Sequence, residues 1–92
     1  MRNYVWETPE EINQNVAANA RAIRKRKGMS QQELSSRSGV SYGSIKRFET
    51  TGNISLLSLT KIAIALDSVN GVKELFTNVP YQSIEEVIHE QK

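Results

Sequence analysis

Arg47 lies one helical turn beyond Gly43 and Ser44 in the stretch SYGSIKR, with Ser41 and Tyr42 just ahead and Lys46 beside it. A guanidinium fork donates two parallel hydrogen bonds, and hydroxyls donate or accept as their partner requires, so this spacing suits recognition of a polar edge or an anion. Covalent chemistry has no comparable group. The chain contains no cysteine, and its one histidine, His89, has no second metal ligand nearby. Glu85 and Glu86 are adjacent, hence on different faces of a helix, and form no acid/base pair. No nucleophile with a base, no glycine-rich phosphate loop and no metal-ligand spacing is present, so neither an enzyme nor a cofactor is expected.

Charge points to the partner. The formal net charge is only +2, but residues 21–52 carry eight Lys and Arg against Glu33 and Glu49, which is 8 − 2 = +6 and leaves −4 for the flanks. A basic middle between acidic ends is suited to meeting a polyanion. Ninety-two residues with a 38% apolar share support one modest helical core. They are too few for an enclosed catalytic cavity with a lid. Without cysteine there are no disulfides, and no apolar run is long enough to span a membrane or act as a secretory signal, so a soluble cytoplasmic protein with no membrane partner is expected.

The elements that must position these groups read as helices. Thr8-Pro9-Glu10-Glu11 supplies a hydroxyl cap, a first-turn proline and a glutamate that can bond back to the cap. Ile12, Val16, Ala20 and Ile23 then recur at steps of four, four and three, which predicts an inward stripe running toward a stop at Gly28. Ser30-Gln31-Gln32-Glu33 repeats the capping-box logic for a second helix that Gly39 ends after about two turns. Ser41 caps a third helix to about Thr50, with Val40 and Ile45 spaced as a hydrophobic staple across the cap. Ser55 caps a fourth, whose Leu59, Ile62, Ala63 and Leu66 form the most apolar stripe. Asn70 and Gly71 can open a last short turn carrying Leu75 and Phe76. Pro80 precedes a tail whose residues 83–91 can hold another amphipathic turn or two.

Two short helices joined by a tight glycine turn form a helix-turn-helix, whose second helix projects its first residues outward. Over about residues 12–76 the chain resembles the Cro and phage-repressor family of transcriptional regulators, also called the xenobiotic-response-element type. The likeness is carried by AIRKRKGMSQQELSSRSGVSYGSIKRFE, then ISLLSLTKIAIAL and KELF in the family's order. It implies an all-α fold, a compact bundle of four to five short helices of the lambda-repressor-like DNA-binding type. It further implies that Gln31 braces a phosphate, that the third helix is the recognition helix, and that Ser41, Tyr42, Gly43, Ser44 and Arg47 face double-stranded DNA. An ion pair between Arg24 and Glu49 is implied as well.

Elementary chemistry is compatible with those roles. Gln31, at a helix start with free amides, can offer a phosphate both a side-chain donor and the helix dipole. Arg47 can reach a guanine edge bidentately, and Ser41 and Ser44 can donate to phosphate or bases. Tyr42 can lay its ring on a thymine methyl; alternatively it covers the end of the first helix. Gly43 leaves the surface bare where helix and bases come closest, or is drift. Lys46 reads as a DNA-binding residue or a solvated face, and Lys25 as a phosphate contact or a plain charged helix end. Departures from the family pattern stand at Ser35 and Ser38, where alanine and an apolar residue are usual; serine there can bond the carbonyl four residues back, and a marginal domain is expected.

A single recognition helix reads few base pairs, so a homodimer on a palindromic operator is expected. Its surface is sought in Phe76 with Val79, Tyr81, Ile84, Val87 and Ile88, or in Tyr4, Val5 and Trp6; simple packing on the bundle is the alternative. The division expected is a DNA-binding domain at 1–76, with the helix-turn-helix at about 30–50, and a tail at 77–92 for dimer or partner contact. There is no room for an effector domain, so no small-molecule effector is expected. A repressor is the leading reading. The alternative is the antitoxin of a toxin-antitoxin operon, which binds a toxin protein and represses its own promoter.

Overall fold

Each of the first four helices begins on a hydroxyl. In the computed structural model, which describes residues 7–78, these are α1 (Pro9–Arg26), α2 (Gln31–Ser38), α3 (Tyr42–Thr51) and α4 (Leu56–Ala65), followed by a short α5 (Val69–Lys73). The fold is all-helical, and no strand occurs among the described residues. Thr8 accepts the Glu11 amide at 3.1 Å while the Glu11 carboxylate accepts the Thr8 amide at 3.0 Å, a complete capping box. Ser30 accepts the Glu33 amide at 3.0 Å, but here the expected reciprocal bond is missing, because the Glu33 carboxylate turns to Arg37 at 2.9 Å. Ser41 and Ser55 cap α3 and α4 through the amides of Ser44 and Ser58.

The core is built from α1, α2, α3 and α4 around Leu34, Ile45, Phe48 and Ile62, all essentially without solvent contact. Val40 and Ile45, which flank the Ser41 cap, both belong to it, as do Ala17, Met29 and Leu66. The stripe predicted along α1 needs correction. Ile12 and Val16 are 47% and 41% exposed, whereas Ala17 and Arg24 are buried and Ala20 and Ile23 half-buried. The helix is rotated by one residue because Arg24, which a hydropathy pattern assigns to solvent, points inward to Glu49.

Ser35 and Ser38 are also used differently from the reading above. The Ser35 hydroxyl donates forward to the Val40 carbonyl at 2.6 Å, and the Ser38 hydroxyl accepts the Val40 amide at 3.1 Å. Together they satisfy both backbone groups of the residue that leads into α3, around a Gly39 whose φ of +77° suits glycine. At the far end α5 starts at Val69 without a side-chain cap bond and stops at Lys73. Leu75 and Phe76 therefore lie beyond it, 51% and 93% exposed, rather than on its surface. Tyr4, Val5, Trp6 and the tail residues from Val79 onward lie outside the described residues. No helix among the described residues is long and apolar enough to cross a membrane.

Candidate nucleic-acid interface

Three neighbours fix the pose of α3. Its inward face buries Ile45 and Phe48 in the core, which leaves Tyr42, Gly43, Ser44, Lys46 and Arg47 exposed on the other side. From α1, Arg24 reaches Glu49 with Nε donating to Oε2 at 2.7 Å and Nη2 donating to Oε1 at 2.9 Å. Its remaining terminal nitrogen, Nη1, donates to the Met29 carbonyl at 2.7 Å. One buried guanidinium thereby ties α1, the loop before α2 and the last turn of α3 together. At the C-terminal end, Gly52 has φ +83°, and a Cβ there would stand 2.8 Å from the Asn13 carbonyl carbon. Only glycine lets α1 and α3 come that close.

Gln31 is half-buried, and its Nε2 donates to Glu49 Oε1 at 2.8 Å. The side chain read as a phosphate brace thus spends a donor on the Glu49 carboxylate in the last turn of α3. Burial pushes the Glu49 carboxyl up, but hydrogen bonds from Arg24 and Gln31, with the charges of Arg24 and Arg21, outweigh it and hold the group below its ordinary value. Arg21 was missed as part of this cluster. Its Nε lies 3.9 Å from Glu49 Oε1, and the signal available was its spacing from Arg24, three residues along the same helix face.

Along the exposed edge the Ser41 and Ser44 hydroxyls stand 2.8 Å apart, so each fixes the other's rotamer. Lys46 Nζ sits 5.1 Å from the centre of the Tyr42 ring, within range of a cation–π contact. That stations the ammonium beside the phenol near the leading end of α3. The Arg47 guanidinium makes no hydrogen bond or ion pair among the described residues, and Lys25 is exposed in the last turn of α1. By contrast Lys27 is held by Asp67 at 3.0 Å and Arg37 by Glu33 at 2.9 Å.

Two open, polar clefts adjoin α3. One, of about 410 Å³, is lined by Arg21, Arg24, Ser30, Gln31, Gln32 and Tyr42. The other, of about 330 Å³, is lined by Ser44, Arg47, Asn53, Ile54, Ser55 and Ser58. Tyr42 thus lines one cleft and Ser44 with Arg47 the other, so the outer edge of α3 borders both. A family model described as helix-turn-helix matches residues 21–71, more than half of the 92. No curated protein and no solved structure matches the chain.

Proposed function

The chain belongs to the Cro and phage-repressor type of the helix-turn-helix family, DNA-binding regulators of transcription, and from that premise we propose that it is a sequence-specific repressor whose α3 reads an operator in the major groove. The observation that supports this most is the division of α3 into a buried face, Ile45 and Phe48, and an exposed one where Arg47 has no partner among the described residues. An unengaged guanidinium on a helix held rigidly by a buried ion pair is ready to bond a guanine edge without first breaking an internal contact. Ser44 and Tyr42 extend that contact toward the leading end of the helix, with Ser41, Lys46 and Lys25 supplying further donors. The repressor acts as a homodimer on a palindrome, its DNA-binding domain spanning 1–76 and the tail 77–92 serving dimer or partner contact.

Selection of bound sequences from a random duplex pool tests this reading. Enrichment of a palindrome with half-sites about one duplex turn, ~34 Å, apart supports a dimeric sequence reader. Retention of the pool without sequence enrichment overturns it.

The antitoxin reading draws support from the sequence of the tail, where Val79, Tyr81, Ile84, Val87 and Ile88 alternate with Glu85, Glu86 and Glu90, and from the fully exposed Phe76 just before it. Purification from the native host separates the two: a stoichiometric second protein that survives high salt favours the antitoxin, and a lone homodimer favours the plain repressor.

A further inference from the structure

Arg21 is the cation that the Glu49 cluster leaves over. Glu49, with a side chain only 3% exposed, already accepts bonds from Arg24 Nε, Arg24 Nη2 and Gln31 Nε2, and the charge of Arg24 balances its own. At 3.9 Å the Arg21 Nε is too far from Oε1 for a hydrogen bond. None of the five N–H donors of Arg21 finds an acceptor among the described residues, and half the side chain, 52%, is exposed. The cluster of Arg21, Arg24 and Glu49 therefore carries a surplus charge of 2 − 1 = +1, placed on Arg21.

That surplus opens into the 410 Å³ cleft whose wall includes Tyr42, the first residue of α3. No acidic side chain lines the cleft. Because Tyr42 stands both on this wall and at the leading end of α3, a duplex seated there as proposed above would bring its sugar-phosphate backbone within reach of the cleft. With Arg24 bonded to Glu49 and Met29 and one Gln31 donor committed to Glu49, Arg21 is the charged side chain of the cleft lining whose donors find no acceptor among the described residues.

We infer that Arg21 is a DNA-backbone ligand, donating to one phosphate from α1 and fixing the register in which α3 meets the bases. This inference rests on the DNA-reading function proposed above. Because a phosphate is the same at every step, the contact strengthens binding to all sequences alike. The bulk of Arg21 lies outside the core, so removing it leaves the fold to the Arg24–Glu49 pair.

The test measures affinity for the selected operator and for a scrambled duplex across a series of KCl concentrations, by fluorescence anisotropy, using the full chain. Arg21→Ala is expected to weaken both duplexes by the same factor and to make the slope of log affinity against log salt less steep by about one unit. Arg21→Lys keeps the charge and is expected to keep the slope. Lys73→Ala, which removes the same charge from α5, is expected to leave both affinities and slope as in the parent. Thermal unfolding of each variant verifies that it is folded at the assay temperature. A parent that binds DNA together with an Arg21→Ala slope equal to the parent's overturns the assignment of Arg21, as does a loss confined to one base-pair position. A parent without salt-dependent binding to any duplex overturns the DNA-reading function itself.

Discussion

Arg24 and Glu49, 25 residues apart, form a two-bonded ion pair buried on both sides, with side chains only 8% and 3% exposed. The pair joins the helix that frames the interface to the helix proposed to enter the groove. Truncating one member leaves a buried charge without its partner, which is far more damaging than losing both. Arg24→Met or Glu49→Leu alone is expected to lower unfolding free energy by about 3–5 kcal/mol, whereas the two substitutions together recover most of that loss. Urea denaturation of the parent, the two single variants and the double variant measures the cycle. Additive losses in the double variant would show that the two side chains do not act as a unit.

Acid should loosen the same joint. The Glu49 carboxyl titrates below its ordinary 4.5, so its folded form binds a proton less readily than its unfolded form. The stabilisation is therefore complete above that ordinary value and is lost as pH falls through it toward the depressed folded value. Between about pH 5 and 8 this group is expected to leave stability flat, with a decline beginning below. Glu49→Gln should remove that part of the decline while lowering stability at neutral pH. Chemical unfolding at a series of pH values checks it, and parallel curves for the two proteins would place the acid sensitivity elsewhere.

Gly39 and Gly52 end consecutive helices with nearly equal φ, +77° and +83°, yet they tolerate alanine differently. A Cβ at Gly39 meets nothing within 4 Å, so Gly39→Ala is expected to cost only the left-handed backbone penalty of roughly 1–2 kcal/mol. At Gly52 the added carbon comes within 2.8 Å of Asn13 C and 2.9 Å of Gln14 N, both main-chain atoms. Backbone cannot rotate aside as a side chain can, so α1 and α3 must separate and Gly52→Ala should be clearly the less stable variant. Equal unfolding free energies for the two would contradict this packing.

Much of this was legible because local chemistry decides it. Hydroxyl caps at Thr8, Ser30, Ser41 and Ser55 and the stop at Gly39 act within a turn of where they stand, and the structure uses each of them. What periodicity could not supply was the rotation of α1, since Arg24 is driven inward by a carboxylate 25 residues away, and apolar spacing alone favours Ile12 and Val16. The donor spent by Gln31 on Glu49 was hidden for the same reason, whereas the bonds of Ser35 and Ser38 to Val40, five and two residues on, are local and depend on the turn at Gly39. For Arg24 and Gln31 the partner lies on another helix, and such a partner is a tertiary fact.

Base reading and backbone holding should separate in mutants. Arg47, whose guanidinium is unengaged among the described residues, is the proposed base reader, and Arg47→Ala is expected to reduce discrimination at one base pair by about 1–3 kcal/mol. Lys25, exposed in the last turn of α1, is proposed to touch phosphate, so Lys25→Ala should weaken all sequences equally. Affinities for a panel of single-base operator variants decide between them. The same profile from both variants would refute the division.

Gly43 offers the sharpest opposition between stability and function. Its backbone is helical, its φ is not positive, and a Cβ built on it meets nothing within 4 Å, so neither turn geometry nor internal packing calls for glycine. Within a helix that choice forgoes up to about 1 kcal/mol relative to alanine. Gly43→Ala is accordingly expected to raise the thermal unfolding midpoint. If the leading end of α3 lies against base edges, the same methyl intrudes where helix and duplex come closest, and operator affinity should fall while the fold gains. Calorimetry and anisotropy on one preparation read both quantities. A stabilised variant that binds with undiminished affinity would mean that this end of α3 stands off from the DNA, with recognition left to Ser44 and Arg47 further along.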